Sequence, residues 1–206
     1  MRAINTVVER DIQEIISDSQ IFDAFRGKLI LVTGATGLIG SMVARSLIAA
    51  NDAYHLSLRV ICHVRNIEKA HHMFSDIVDS DILTFVDTPL ESLDIACDYI
   101  MHGAAPTKSK YFVEHPVDTI RTSIHGTERM LELGKEQKIK GMVYLSSMEQ
   151  YGVPYESGQV MTEDRIGYLD HLNVRSSYSE SKRLCECYCK SYAVEFGVPV
   201  KIARLA

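Results

Sequence analysis

No apolar run in this chain approaches the roughly 20 residues that a membrane-spanning helix needs. Residues Met1–Arg10 mix Arg2, Glu9 and Arg10 with apolar side chains and lack the apolar heart of a secretory signal. Basic residues number 22 against 27 acids, a formal net charge of −5, and no segment gathers a basic stripe. Nucleic acid and an anionic membrane surface are therefore not expected partners. The five cysteines include no C-x-x-C pair; of Cys185, Cys187 and Cys189 only the first and last share a helical face, and Cys62 and Cys97 lie in apolar segments. Packed free thiols are expected. His71, His72, His115, His125 and His171 show no H-E-x-x-H or other ligand spacing, so no metal is expected either. Internal repeats, low-complexity tracts and linkers are missing too. What remains is a globular chain of 206 residues, 46% hydrophobic, enough for one well-buried domain and expected in the cytoplasm.

The pattern along the chain alternates. Ile4, Val7, Val8, Ile12, Ile15 and Ile16 recur at helical period and predict a short leading helix, within an extension over 1–26, that packs on a main domain over 27–206. Strands are predicted at Leu29–Val32, Leu58–Val64, Ile82–Val86, Tyr99–His102, Met142–Ser146 and Val200–Arg204. Between them helices are predicted at Leu38–Ala50, Asn66–Phe74, Pro116–Gln137 and Ser176–Phe196, with Pro116 suited to a first turn and Gly197 and Pro199 closing the last helix. Short apolar strands separated by helices imply an α/β, doubly wound parallel sheet of Rossmann type with a helical N-terminal extension. Met148–Arg175 is the longest irregular stretch, and loops of that length are usually functional or mobile.

Chemistry enters at the first strand, which runs into Gly34, Gly37 and Gly40, spaced by three where strand becomes helix. This is a variant of the dinucleotide fingerprint G-x-G-x-x-G. Its backbone N–H groups and helix N-terminus suit a pyrophosphate, so Gly34, Thr36, Gly37, Leu38, Ile39 and Gly40 are expected to hold the cofactor. His102-Gly103-Ala104-Ala105, ending the fourth strand, is small enough to line a nicotinamide ribose. Tyr178 and Lys182 lie four apart on a predicted helix and face the same way. An ammonium beside a phenol favours the phenolate, so Tyr178 is expected to have a lowered pKa and to act as a general acid/base. Ser147, at the carboxyl end of the fifth strand where ligands bind such sheets, offers a second hydroxyl.

In this order, Thr-Gly-Ala-Thr-Gly-Leu-Ile-Gly, His-Gly-Ala-Ala, Leu-Ser-Ser-Met-Glu-Gln-Tyr-Gly and Tyr-Ser-Glu-Ser-Lys resemble the extended short-chain dehydrogenase/reductase family, in its sugar-nucleotide epimerase/dehydratase branch. The resemblance runs from Gly27 to Ala206. It implies Ser147 as hydroxyl partner, Tyr178 as acid/base, Lys182 as ribose ligand and pKa modulator, and a nucleotide-sugar substrate. Asp87, with Thr88, would contact the adenine, or would be an ordinary strand-end turn. Dehydrating members carry Asp-Glu after the serine; here Met148 and Glu149 stand there, and a thioether donates no proton. Epimerisation or decarboxylation stays open, with Glu149 as a base or as a solvated loop carboxylate. After the second strand Arg65 appears where an acid would hold a 2′-hydroxyl, which leans an NAD(P) site toward NADP; the contrary reading stacks Arg65 on the adenine of NAD. Lys108, Lys110 and Tyr111 would meet the substrate or form a solvated charge cluster. Family members continue past the sixth strand into a substrate-binding part that this chain is expected to lack. The alternatives are a dehydrogenase/reductase of a small carbonyl compound and a non-catalytic dinucleotide-binding module. The helices at Pro116–Gln137 and Ser176–Phe196 are those through which the family forms homodimers.

Overall fold

A computed structural model describes residues 6–77, 81–156, 158 and 160–206. Its centre is a six-stranded parallel sheet in the order β3-β2-β1-β4-β5-β6. The strands are β1 (Leu29–Thr33), β2 (Arg59–His63), β3 (Leu83–Val86), β4 (Tyr99–His102), β5 (Gly141–Ser147) and β6 (Val200–Leu205). Alternate residues of each strand enter different cores. Ile30 and Val32 of β1 pack with α3 (Leu38–Tyr54) on one face. Leu31 packs with α6 (Pro116–Gln137) and α7 (Ser176–Glu195) on the other. Both faces of the central strands are thus buried, which is why they read as unbroken apolar runs. The chain winds outward from β1 through α3 and α4 (Ile67–Met73) to β3, then restarts at β4 and winds the other way. That reversal opens a crevice at the carboxyl ends of β1 and β4, where such sheets bind ligands.

Departures from the sequence reading have local causes. The leading helix, α1 (Thr6–Ile15), buries Ile12 and Ile16 and packs Val8 on the core, but Val7 and Ile15 are about half exposed. Its contact stripe is narrower than the periodicity predicts, because only one side meets α3; Ile4 lies outside the described residues. Phe22, on the unanticipated one-turn α2 (Ser19–Phe22), completes that contact. A second unanticipated helix, α5 (Ser109–Glu114), carries Phe112 into the interior. The stretch after β5 is tied down more than its composition suggests. It opens with a 3-10 turn at Met148–Tyr151, and Val153 and Tyr168 exchange backbone hydrogen bonds of 2.9 Å each. Arg183 on α7 donates to the carbonyls of Gln150 (2.7 Å), Tyr151 (3.2 Å) and Gly167 (2.9 Å). On the α3 face, the half of the sheet around β4–β6 is open among the described residues, forming an apolar trench of about 790 Å³ between Met42 and Phe25 on one side and Val143 and Leu145 on the other. No helix among the described residues is long and apolar enough to cross a membrane.

Candidate active site

Between the ends of β1 and β4 lies a cleft of about 560 Å³, within the range of small-molecule and cofactor sites. Gly34, Thr36 and Gly37 form one wall, Arg65, Asp87 and Thr88 a second, and Gly103, Ala104 and Ala105 a third. Gly34 has φ +72°, and a Cβ there would lie 2.8 Å from the Gly103 carbonyl, so a side chain is excluded twice. At Gly40 a Cβ would lie 2.4 Å from the Gly34 oxygen; this glycine lets the helix pack under the turn. No side chain caps the first turn of α3. Its N–H groups stay available to an anion, so the residues present fit a dinucleotide pyrophosphate. Leu38 and Ile39 do not line this cleft with their side chains, which line the apolar trench instead, and Leu38 is 84% exposed.

Beneath the cleft, His102 is fully buried and its hydrogen bonds fix its tautomer. Thr33 Oγ1 accepts the N–H groups of Gly103 and Ala104, each at 3.2 Å, which leaves its own proton for His102 Nδ1 at 2.7 Å. The Thr127 hydroxyl donates to the Ser123 carbonyl at 2.7 Å, so its oxygen accepts from His102 Nε2–H at 3.2 Å. Burial, with the Lys182 and His63 charges adding to it, pushes His102 down to about 3. The ring is thus a neutral brace behind the 103–105 turn rather than a titrating group. His63, at the end of β2, shares the cleft wall; its Nε2 bonds the Thr88 carbonyl at 2.9 Å, and burial depresses its pKa.

At the end of β5 the structure gathers Ser147, Glu149, Tyr178 and Lys182. The Tyr178 ring lies flat on Phe112, with centroids 4.3 Å apart and planes within 2°. Its pKa is raised, contrary to the expectation from spacing. Burial is the dominant cause and Glu149 adds to it, while a hydrogen bond with Ser147 and the Arg175 charge oppose it. Lys182 has little leverage on the phenol here because its ammonium donates to the Leu145 carbonyl at 2.7 Å and stands 5.7 Å from the Tyr178 ring centroid. Burial lowers Lys182 to about 8, against raising contributions from Cys185, Cys189 and Glu186. Glu149 is a partnered carboxylate, not merely a solvated one. Arg175 Nη2 donates to Oε1 and Nη1 lies beside Oε2, both at 2.9 Å, and Ser179 donates to Oε2 at 3.1 Å.

One residue earlier, Ser146 points the other way along the pleat and donates to Glu186 Oε1 at 2.5 Å. Arg204 on β6 grips the same carboxylate from Nε (3.1 Å to each oxygen) and Nη2 (2.7 Å), and donates from Nη1 to the Glu163 carbonyl at 2.7 Å. Of the loop residues after β4, Lys108 lines the cofactor cleft, but Tyr111 is turned to Asp118 (2.6 Å) and Lys110 to Glu114 (3.5 Å). Sequence reasoning passed over Phe112, Arg175, Glu186 and Arg204. Arg175 immediately precedes the helix of Tyr178, so its place was available as a signal; Phe112 gave none.

Comparison with known proteins agrees with this geometry. The NAD dependent epimerase/dehydratase family profile matches residues 30–206. UDP-glucuronic acid decarboxylase 1 of Danio rerio is 30% identical over 183 residues, covering 86% of this chain and 41% of that protein. UDP-glucuronic acid decarboxylase 6 of Arabidopsis thaliana is 31% identical over 180 residues, covering 85% and 49%. The chain therefore spans less than half the length of these relatives. Among solved structures, UDP-glucuronic acid 4-epimerase from Bacillus cereus in complex with NAD superposes with a TM-score of 0.68 at 25% identity, over 86% of this chain and 56% of that one. An epimerase from Methanothermobacter thermautotrophicus reaches 0.74 at 23% identity over 93% and 55%, a likeness of fold. A glycine-turned cleft at the switch point of a 3-2-1-4-5-6 sheet, matched by that profile over nearly its whole length, makes this chain a member of the NAD-dependent epimerase/dehydratase family.

Proposed function

We propose that this chain is the cofactor-binding and catalytic portion of an enzyme that epimerises or decarboxylates a nucleotide sugar, with Ser147, Tyr178, Lys182 and Glu149 as its working groups. The observation that carries this reading is that α7 is tied to the end of β5, Lys182 donating to the Leu145 carbonyl at 2.7 Å and Ser179 to Glu149 at 3.1 Å, which sets the Tyr178 phenol beside Ser147. A bound nicotinamide supplies the acceptor that takes a hydride from the sugar and returns it. Ser147 and Tyr178 hold the sugar hydroxyl, and Tyr178 carries its proton. Lys182 keeps a positive charge below about pH 8, with its ammonium on the Leu145 carbonyl and 5.7 Å from the Tyr178 ring centroid. Met148 at the position after Ser147 removes an acid needed for dehydration, which supports the other two outcomes.

For the cofactor we propose NAD(P), bound by Gly34, Thr36, Gly37 and Gly103–Ala105 with the adenosine toward Arg65, Asp87 and Thr88. Arg65 and Lys69 line that end and support a 2′-phosphate, hence NADP; Asp87 and Glu91 line it too and favour NAD. Val117, Ile120 and Leu184, exposed on α6 and α7, support a homodimer through those helices.

The test is to incubate the cofactor-loaded, native-length protein with a panel of nucleotide sugars and follow product and nicotinamide redox state together. Product without net change of the cofactor is expected; stoichiometric reduction or oxidation would point instead to a simple dehydrogenase. Tyr178→Phe is expected to keep dinucleotide binding and lose about 10²–10⁴-fold in turnover, and undiminished turnover removes Tyr178 from its role.

A further inference from the structure

Glu149, a working group of the proposed reaction, is gripped by its neighbours instead of standing free beside Ser147 and Tyr178. Both of its oxygens face the Arg175 guanidinium at 2.9 Å, and Ser179 donates to one of them. A carboxylate held on both oxygens is not presented to a substrate while that grip lasts. The lock is built to open, however. The two side chains are 36% and 33% exposed, and ion pairs this open contribute little net stability, so exchange is cheap.

Arg175 also has a seat that does not depend on Glu149. Its guanidinium lies over the Phe112 ring, 4.9 Å from the centroid, and Phe112 in turn stacks on Tyr178. Stacking on an aromatic face holds a guanidinium flat while its N–H edge stays free for a planar anion. Glu149, by contrast, is anchored by its backbone, whose N–H donates to Ser147 Oγ at 3.2 Å. If the pair parts, the ring contact still holds the guanidinium in place and the Glu149 side chain is the one to move. The seat lies beside the candidate reacting groups, since Arg175 is bonded to Glu149, whose backbone N–H donates to Ser147, and rests on the Phe112 ring that stacks on Tyr178.

We infer that Arg175 reads a carboxylate on the substrate: a nucleotide sugar bearing one takes the guanidinium from Glu149, and the displaced Glu149 becomes the free base beside Ser147 and Tyr178. The inference rests on the nucleotide-sugar reading above. A neutral sugar gives Arg175 no anion to exchange and leaves the lock closed. Selection between acidic and neutral sugars and the release of the base are then one event.

UDP-glucuronic acid and UDP-glucose, which differ only in carboxylate against hydroxymethyl, are the probes, titrated calorimetrically into the NAD-loaded native-length protein at low salt. The native protein is expected to favour UDP-glucuronic acid about tenfold or more, as charge-assisted hydrogen bonds imply. Arg175→Met abolishes that preference, and Arg175→Lys, a charge without the fork, restores part of it. Glu149→Gln removes the competitor, so UDP-glucuronic acid binds up to about fivefold tighter while UDP-glucose is unmoved; a pair with only a structural role would not give tighter binding. The NAD affinity of each variant reports its fold. Equal affinity of the native protein for the two sugars, or weaker uronic acid binding by Glu149→Gln, overturns the inference and leaves the nucleotide-sugar reading standing. If neither sugar binds the NAD-loaded native-length protein, that reading falls and the inference with it.

Discussion

Two neighbouring serines on β5 each lead to a glutamate and an arginine, and the two clusters behave as opposites. Ser146 meets Glu186 and Arg204 in the interior, with the acid and base side chains only 11% and 22% exposed. Ser147 leads to Glu149 and Arg175 at the mouth of the site, each about a third exposed. The chemistry of the pairs is the same; their surroundings are not. Buried charges that satisfy one another are costly to separate, because whichever remains has no water to turn to. At the mouth, solvent stands ready to replace a lost partner, so the same pair is weak and replaceable. One strand thereby carries a permanent tie on one face and an exchangeable one on the other. The permanent tie joins β5, α7 and β6 and, through the Glu163 carbonyl, the segment after β5. The exchangeable one faces the reaction.

The sharpest way to break this comparison is to remove the two carboxylates in turn. Glu186→Ala strands Arg204 in the interior and is expected to cost about 3–5 kcal/mol, whereas Glu149→Ala costs under about 1 kcal/mol. Urea unfolding of both variants checks this, and similar losses would dissolve the distinction.

The pH must be chosen so that the comparison is clean, because His102 imposes a background. Its folded pKa is about 3 against 6.5 for the free side chain, so below pH 6.5 the unfolded chain binds more protons and stability falls with pH. The expected loss is about 2 kcal/mol between pH 6.5 and pH 5, at about 1.4 kcal/mol per pH unit. Denaturant titrations at several pH values measure it, and His102→Gln should flatten the slope.

The smallest effect is screening. In double-mutant cycles for stability, the Glu149–Arg175 coupling is expected to fall toward zero on going from low salt to 1 M, a change of a few tenths of a kcal/mol. The Glu186–Arg204 coupling should keep its value.

What the sequence made legible was local. Gly34, Gly37 and Gly40 announce a turn by spacing alone, and Tyr178 with Lys182 announces a shared helical face. The strand and helix order, and with it the crevice, followed from alternating apolar runs. Contacts between distant segments left no such trace. Glu149 and Arg175 are 26 residues apart across a stretch without periodicity, and Phe112 reaches Tyr178 from a helix too short to show a pattern. The sign of the Tyr178 shift escaped for a related reason. Spacing places an ammonium on the same face, but the depth of burial and the Leu145 carbonyl that occupies the ammonium are tertiary facts. Leu38 and Ile39 divide along the same line, with backbones placed by the local turn and side chains directed by the open half of the sheet.

β5 is paired on both sides, with Met142 to Tyr144 matched to neighbours on each flank and Ser146 and Ser147 opposite Arg204 and Leu205. In a strand the side chains alternate, so inserting or deleting a single residue would exchange the faces of the two serines. The hydroxyl meant for the interior would face the cleft, and the working hydroxyl would be sealed against α7. Length variation within this strand is thus forbidden by geometry as well as by packing. Insertions are accommodated only after Ser147, in the stretch that Arg183 ties back to α7, so divergence in length among relatives is expected there and not in the strand.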